Sequence, residues 1–302
     1  MSKDHSSAHI LQALVVNGLI SVAKGIAAFF TGSGAMLAET IHSASDCANQ
    51  LLLLLGVSKA KKPPDAAHPL GYGRSAYFWS FIVALLLFTG GGVFSIYEGL
   101  HKISHPEPVE WVWVGITILA FSLALEGYST FSNIKELNQR RGLSPFFRYL
   151  RLSKDSDLVV VFGENLAASL GLAVAIPALF LAWITGNPQW DAIGSLMIGI
   201  VLIGVALFLA IEIKSLLLGE SADPKIEQAV HDLLPQYDSI TRLLHIITMQ
   251  QGPGQVLVLM KLAIVPERSV GEACETINRF ETDLRKRCPE IIWSFIEPDL
   301  PR

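Results

Sequence analysis

The sequence predicts a membrane protein of two parts: an all-α six-helix transmembrane bundle, then a small cytoplasmic α+β domain of order α-β-β-α-β, ferredoxin-like in its alternation. Three observations predict this. The chain of 302 residues is 51% hydrophobic and only 17% charged, where soluble domains carry about 25% charged residues. Its mean hydropathy is +0.44. About six apolar runs each approach the roughly 20 residues that a bilayer requires. Near residue 222 the composition turns to that of a soluble domain. The expected boundary therefore divides a transmembrane domain, 1–220, from a C-terminal domain, 221–302.

The apolar runs lie at about 10–31, 35–58, 76–100, 109–133, 157–185 and 190–217. Turn chemistry separates them: Thr31-Gly-Ser-Gly34, Lys62-Pro-Pro-Asp65, His105-Pro-Glu-Pro108 and Gly186-Asn-Pro188. Trp111, Trp113, Trp183 and Trp190 fall near run ends, where interfacial aromatics collect. The run Gly90-Gly-Gly92 in the third span permits close helix contact or a bend. No small-residue cleavage site ends the first run, so it reads as a span rather than a signal peptide.

Lys and Arg set the orientation. Lys3 precedes the first span, Lys59, Lys61, Lys62 and Arg74 follow the second, and Lys214 and Lys225 flank the end of the sixth. Lys135, Arg140, Arg141, Arg148, Arg151 and Lys154 follow the fourth. Lys102 is the clear exception on the other side. The positive-inside rule then puts both termini in the cytoplasm. With no targeting extension before the first run, the expected compartment is a bacterial inner membrane. A net charge of −4 gives no basic domain for nucleic acid. Cys47, Cys274 and Cys288 are too scattered for a disulfide framework or a zinc knuckle.

The second span carries the sharpest signal. His42 and Asp46 stand four residues apart within Leu37-Ala-Glu-Thr-Ile-His-Ser-Ala-Ser-Asp-Cys-Ala-Asn-Gln-Leu51. That spacing puts both on one helix face. Ionisable groups at bilayer depth are costly and face a partner, a cavity or an ion path. Imidazole beside carboxylate suits a divalent transition metal. The bland reading is a polar pair gluing helices together, worth about 0.6–2 kcal/mol per hydrogen bond. Two such residues at ligand spacing, with Glu164 in the fifth span, favour a metal site. Glu164 has two readings of its own, a third ligand or a partner for Lys24. Small neighbours Gly163, Ala167 and Ala168 let its helix approach another closely. Asn165 lies about 100° round that helix and is a candidate outer partner. Lys24, Glu39 and Glu126 read as a charge-compensated cluster, because unpaired buried charge is expensive.

Outside the spans, Asp65 and His68 lie in Pro64-Asp-Ala-Ala-His-Pro-Leu-Gly-Tyr-Gly-Arg74. Two ligands alone leave most of a zinc shell open. In the tail, Pro224–Tyr237 reads as a helix, Ser239–Gln250 and Gln255–Val265 as strands. Ser269–Arg287 reads as a helix with Ser269 and Glu272 spaced as a capping box. Ile291–Ile296 reads as a last strand ended by Pro298. His245 reads by default as a strand histidine. About 80 residues make a marginal core, so a homodimer through this domain is expected on size alone.

These pieces together resemble the cation diffusion facilitator family of divalent-metal/proton antiporters. The carriers are Gly32-Ser-Gly-Ala-Met-Leu-Ala-Glu-Thr-Ile-His-Ser-Ala-Ser-Asp46, Asp65-Ala-Ala-His68-Pro-Leu-Gly-Tyr-Gly-Arg74 and Asp191-Ala-Ile-Gly-Ser195, with the six-span layout and the tail order. The resemblance implies an ion held between spans 2 and 5, each offering two ligands four residues apart. His42 and Asp46 match the first pair, and Glu164 the second member of the other. Its first member falls on Val160 and is missing, which resembles a branch with an acidic residue in span 5. Asn165 or water then fills in. Zinc is the expected cargo. The reduced imidazole content leans the site towards harder ions such as manganese or iron, with cobalt and cadmium also in the range. The resemblance further implies an accessory loop site, for which Asp65 and His68 remain but Tyr72 occupies the third position. In the tail only His245, with Glu297 near an acidic position, remains of the family's ligands, so the tail is expected to serve as a dimer contact.

The function expected is proton-coupled export by alternating access. Binding requires neutral imidazole and ionised carboxylates, so metal displaces protons. The rival readings are a membrane metalloenzyme, for which no HExxH and no nucleophile arrangement is found, a passive channel, and a membrane scaffold. Metal ion, protons, lipid and a second copy are the expected partners.

Overall fold

The computed structural model describes residues 3–300; the side chains of residues 3–13, 15, 16 and 157 lie outside the description, Lys3 among them. The helices are α1 (Lys3–Thr31), α2 (Gly34–Ala60), α3 (Ser75–Leu86), α4 (Phe94–Ser104), α5 (Val112–Arg140), α6 (Phe146–Leu152), α7 (Ser156–Thr185), α8 (Gln189–Leu218), α9 (Pro224–Leu233) and α10 (Val270–Arg287). Between α3 and α4 the chain continues as a π-helical stretch, Leu87–Val93. The strands are β1 (Ile240–Gly252), β2 (Gln255–Ile264) and β3 (Ile291–Asp299).

Among the described residues, four helical segments are long and apolar enough to cross a membrane: Ser75–Ser104, Val112–Arg140, Leu158–Thr185 and Gln189–Leu218. α1 adds the shorter apolar stretch Asn17–Thr31. α2 interrupts its apolar sequence with Glu39, His42, Asp46, Asn49 and Gln50. All six expected runs are thus helical. α5 continues to Arg140, past the expected end of its run. The short helix α6 lies in the basic connection that followed the fourth run.

The chain divides into two compact units. The first takes residues up to Gly56, Trp79–Arg151 and Asp157–Ile213. Its helices meet most closely where side chains vanish. A Cβ on Gly99 would lie 2.9 Å from the Ala192 carbonyl, and one on Gly199 would lie 2.9 Å from the Gly92 carbonyl. The glycines of the third span therefore bring α4 and the π-helical stretch against the backbone of α8. Gly32 turns α1 into α2 with φ +62°, a conformation that a Cβ disfavours.

The second unit takes Val57–Phe78, Leu152–Ser156 and the chain from Lys214. Its sheet runs β1-β2-β3. β1 and β2 pair antiparallel, with Thr248 opposite Val258. β2 and β3 pair parallel, with Leu259 opposite Phe295, and α10 supplies the crossover that parallel pairing requires. Ile226, Val230, Val258, Met260, Leu262, Phe280 and Leu284 form the core. Each large apolar side chain buried there contributes about 1.5–3 kcal/mol. Asp223 caps α9 by accepting from the Lys225 amide, with Pro224 in the first turn. Ser269 and Glu272 form the reciprocal capping box at α10. β3 does not stop before Pro298: it runs to Asp299, with Pro298 opposite Leu262. Proline is tolerated because β3 is an edge strand. The connection 57–78 packs on the β1–β2 hairpin, where a Cβ on Gly73 would meet the Gln251 carbonyl at 2.6 Å.

Candidate metal site

α2 positions three polar side chains by its period. His42, Asp46 and Asn49 fall within an arc of about 60°. His42 is fully buried, and its Nδ1 lies 3.6 Å from Asp46 Oδ1, with the Asp46 side chain 13% exposed. That distance is too long for a hydrogen bond. Among the described residues neither ring nitrogen of His42, nor Asp46 Oδ1, has a hydrogen-bond partner. Unpaired nitrogen and oxygen at such depth are costly. Asp46 lies within electrostatic reach of Glu164, Glu126, Glu39 and Lys24.

α7 brings Glu164 to the same face. Its Oε1 accepts a 2.6 Å hydrogen bond from Asn49 Nδ2. Gly163 beside it packs against Leu209, whose methyl carbon would lie 2.9 Å from a Cβ there. Lys24 does not pair with Glu164. Its amine donates to Glu39 at 3.2 Å and to Ser43 at 2.8 Å. Asn165 is half-buried, and its backbone carbonyl accepts from the Thr130 hydroxyl at 2.9 Å. Among the described residues no three His, Cys, Asp or Glu side chains form a ready cluster for one ion. His42 and Asp46 make one pair, and Glu164 is held through Asn49.

Asp191, which in the sequence lies near one end of the sixth apolar run and opens a motif, is buried at the start of α8. It accepts from Ser33 Oγ at 2.5 Å, Gly34 N at 2.6 Å and Ala35 N at 3.3 Å. It is a cap in trans for the helix that carries His42 and Asp46. Lys102 donates to the Gly32 carbonyl in the same turn. This explains the lone lysine on the side otherwise poor in basic residues.

In the second unit Asp65 Oδ1 accepts from the Ala67 and His68 amides at 2.9 and 2.8 Å, and Oδ2 from the Tyr72 hydroxyl at 2.7 Å. The His68 ring lies over Tyr72 with centroids 4.1 Å apart. The Tyr72 hydroxyl, then the backbone amides, hold the Asp65 carboxyl below its ordinary value. His245 and Glu297 both line an open cleft of about 510 Å³ on the sheet, where Glu297 pairs with Lys261 at 3.1 Å.

Membrane-length helices, with imidazole and carboxylate atoms buried and unpaired among the described residues, define a membrane bundle with a polar interior site. The cation efflux transmembrane domain matches residues 10–218. The chain belongs to the cation efflux family, the cation diffusion facilitators. Over 250 residues it is 36% identical to a Homo sapiens protein named proton-coupled zinc antiporter SLC30A9, mitochondrial, covering 82% of this chain and 44% of that one. It is 30% identical to metal tolerance protein C4 of Arabidopsis thaliana, covering 84% of this chain and 56% of that one. It is 23% identical to the magnetosome protein MamM of Paramagnetospirillum magneticum, covering 88% and 80%. The chain thus spans about half the length of the first two relatives.

Proposed function

We propose that this chain is a secondary active transporter that exports a divalent metal ion, zinc foremost, in exchange for protons by alternating access. One observation carries the reading. His42 and Asp46 stand a helical turn apart in the bundle, with neither ring nitrogen hydrogen-bonded among the described residues. Glu164 approaches the same helix face from α7. Hydrolysis has no such support, since the relatives are named as transporters or tolerance proteins.

In this reading His42, Asp46 and Glu164 are the protein ligands. A cation binds when the imidazole is neutral and the carboxylates are ionised, and it leaves when protons return to the same atoms. The printed name of the human relative supports zinc and proton coupling. One imidazole among oxygens also admits manganese, iron, cobalt or cadmium. Asp65 and His68 form an accessory pair whose carboxylate is shared with Tyr72. The transmembrane domain takes 1–220 and the soluble domain 221–302. Both termini lie on the side of the basic loops, taken as the cytoplasm of a bacterial inner membrane, and two copies pair through the soluble domain.

The test is metal flux into proteoliposomes holding the purified full chain. Zinc entry should follow an imposed pH gradient. It should fall at least tenfold, about 1.4 kcal/mol at the binding step, in His42→Ala and Asp46→Ala. Flux indifferent to the gradient, or intact in both variants, overturns the reading.

A further inference from the structure

We propose that Asn49 is a working member of the ion site: its amide nitrogen holds the Glu164 carboxylate towards α2, and its carbonyl oxygen is a donor to the cation. The inference rests on the transport reading above and extends it to a residue with no titratable group.

Asn49 lies one turn beyond Asp46 on the face that carries His42, about 4.5 Å along the axis from Asp46. Its side chain is completely buried. The amide nitrogen donates to Glu164 Oε1 at 2.6 Å. A carboxylate only accepts, so the atom facing it is the NH₂ group and the carbonyl oxygen points elsewhere. That oxygen has no hydrogen-bond partner among the described residues. Leaving it so costs about 1–3 kcal/mol. A residue serving only as helix glue gains its bond to Glu164 without needing an unpaired oxygen among the site's other unpaired atoms.

Those other atoms are His42 Nδ1 and Nε2 and Asp46 Oδ1. Asn49 is the link between two groups that otherwise stand apart, the His42–Asp46 pair on α2 and Glu164 on α7. An amide carbonyl carries no charge and is a hard donor. It completes a set of one nitrogen and three oxygens without adding a fourth ionisable group to a site already crowded with carboxylates. Asn165, the neighbour of Glu164 in sequence, is instead engaged through its backbone with Thr130.

The experiment uses the full chain in proteoliposomes, with zinc or manganese as the only divalent cation. Asn49→Leu removes both polar atoms at similar volume. Its half-saturating zinc concentration should rise about 10–100-fold, the usual effect of removing a partner that orients a ligand, with a smaller change in maximal rate. Asn49→Asp keeps an oxygen and loses the donated N–H. It should bind better than Asn49→Leu and shift preference towards manganese over zinc. If Asn49→Leu fails to assemble, Asn49→Asp carries the test alone. Wild-type half-saturation and wild-type zinc-to-manganese preference in a folded variant overturn the role of Asn49 and leave the transport reading standing. Absence of metal flux in the wild-type chain overturns both, and is seen before any variant is made.

Discussion

Lys24 on α1 and Glu39 on α2 face each other at 3.2 Å, and neither side chain is exposed. Ser43 takes a second bond from the same amine, while Glu39 Oε1 has no hydrogen-bond partner among the described residues and lies against Gly171 of α7. Paired charge at this depth is tolerated, while a single charge is not. Lys24→Met leaves Glu39 buried alone and should cost about 3–5 kcal/mol. The double variant Lys24→Met, Glu39→Leu should recover most of that loss. Thermal unfolding of purified protein in detergent separates the two. Equal losses in the single and double variants would show that the lysine stem, not the ion pair, stabilises the helices.

Asp191 gathers three donors from the α1–α2 turn. Asp191→Ala orphans two buried amides of α2 and should cost about 2 kcal/mol or more, at about 1–3 kcal/mol for each unsatisfied group. Asp191→Asn keeps an accepting oxygen and should recover part of it. Hydrogen exchange at Gly34 and Ala35 reads the cap directly. Both amides should exchange faster in the alanine variant, and unchanged protection would remove Asp191 from that role.

The loop carboxylate gives a pH prediction. Asp65 is held below its ordinary value first by the Tyr72 hydroxyl and then by the amides of His68 and Ala67. A lowered folded-state value means the loop's bonds contribute fully above the ordinary aspartate range of about 4. The contribution fades as pH falls through the lower folded value. Tyr72→Phe removes the largest cause, so Asp65 should then titrate higher, nearer a free aspartate. Carboxyl ¹³C shifts of labelled aspartate, assigned with Asp65→Asn, follow this. Identical titration in the two proteins would contradict it.

How much of this was legible depended on range along the chain. The helix face of His42 and Asp46 follows from a four-residue spacing, and the Ser269–Glu272 capping box from three. Both are local and read directly. Asn49 and Glu164 are 115 residues apart, Ser33 and Asp191 are 158 apart, and no local pattern pairs them. Asp191 therefore read as a residue near a span end. Glu164 kept Lys24 as a possible partner until α2 placed Asn49 against it. Pro298 looked like a stop because a proline breaks a central strand, and only the sheet order makes β3 an edge. Lys102 looked like an exception to the charge rule because the Gly32 carbonyl that receives it lies 70 residues away.

The α4–α8 seam carries the last prediction. Gly199 meets Ile96 and the Gly92 carbonyl so closely that a Cβ would sit 2.6 Å from Ile96 Cγ1, 2.9 Å from Gly92 O and 2.9 Å from Ile96 N. Two of these three atoms are backbone and cannot rotate away. Gly199→Ala must therefore push the third span from the sixth, at an overpacking cost of about 1–3 kcal/mol. Gly204, on the same helix, meets nothing within 4 Å among the described residues, so Gly204→Ala should be neutral or slightly stabilising through helix propensity. The pair forms its own control, since both replace glycine by alanine on α8. Melting temperatures in detergent decide it: similar values for the two variants would mean that the seam yields without cost, and that the glycines of the third span are not there for close approach.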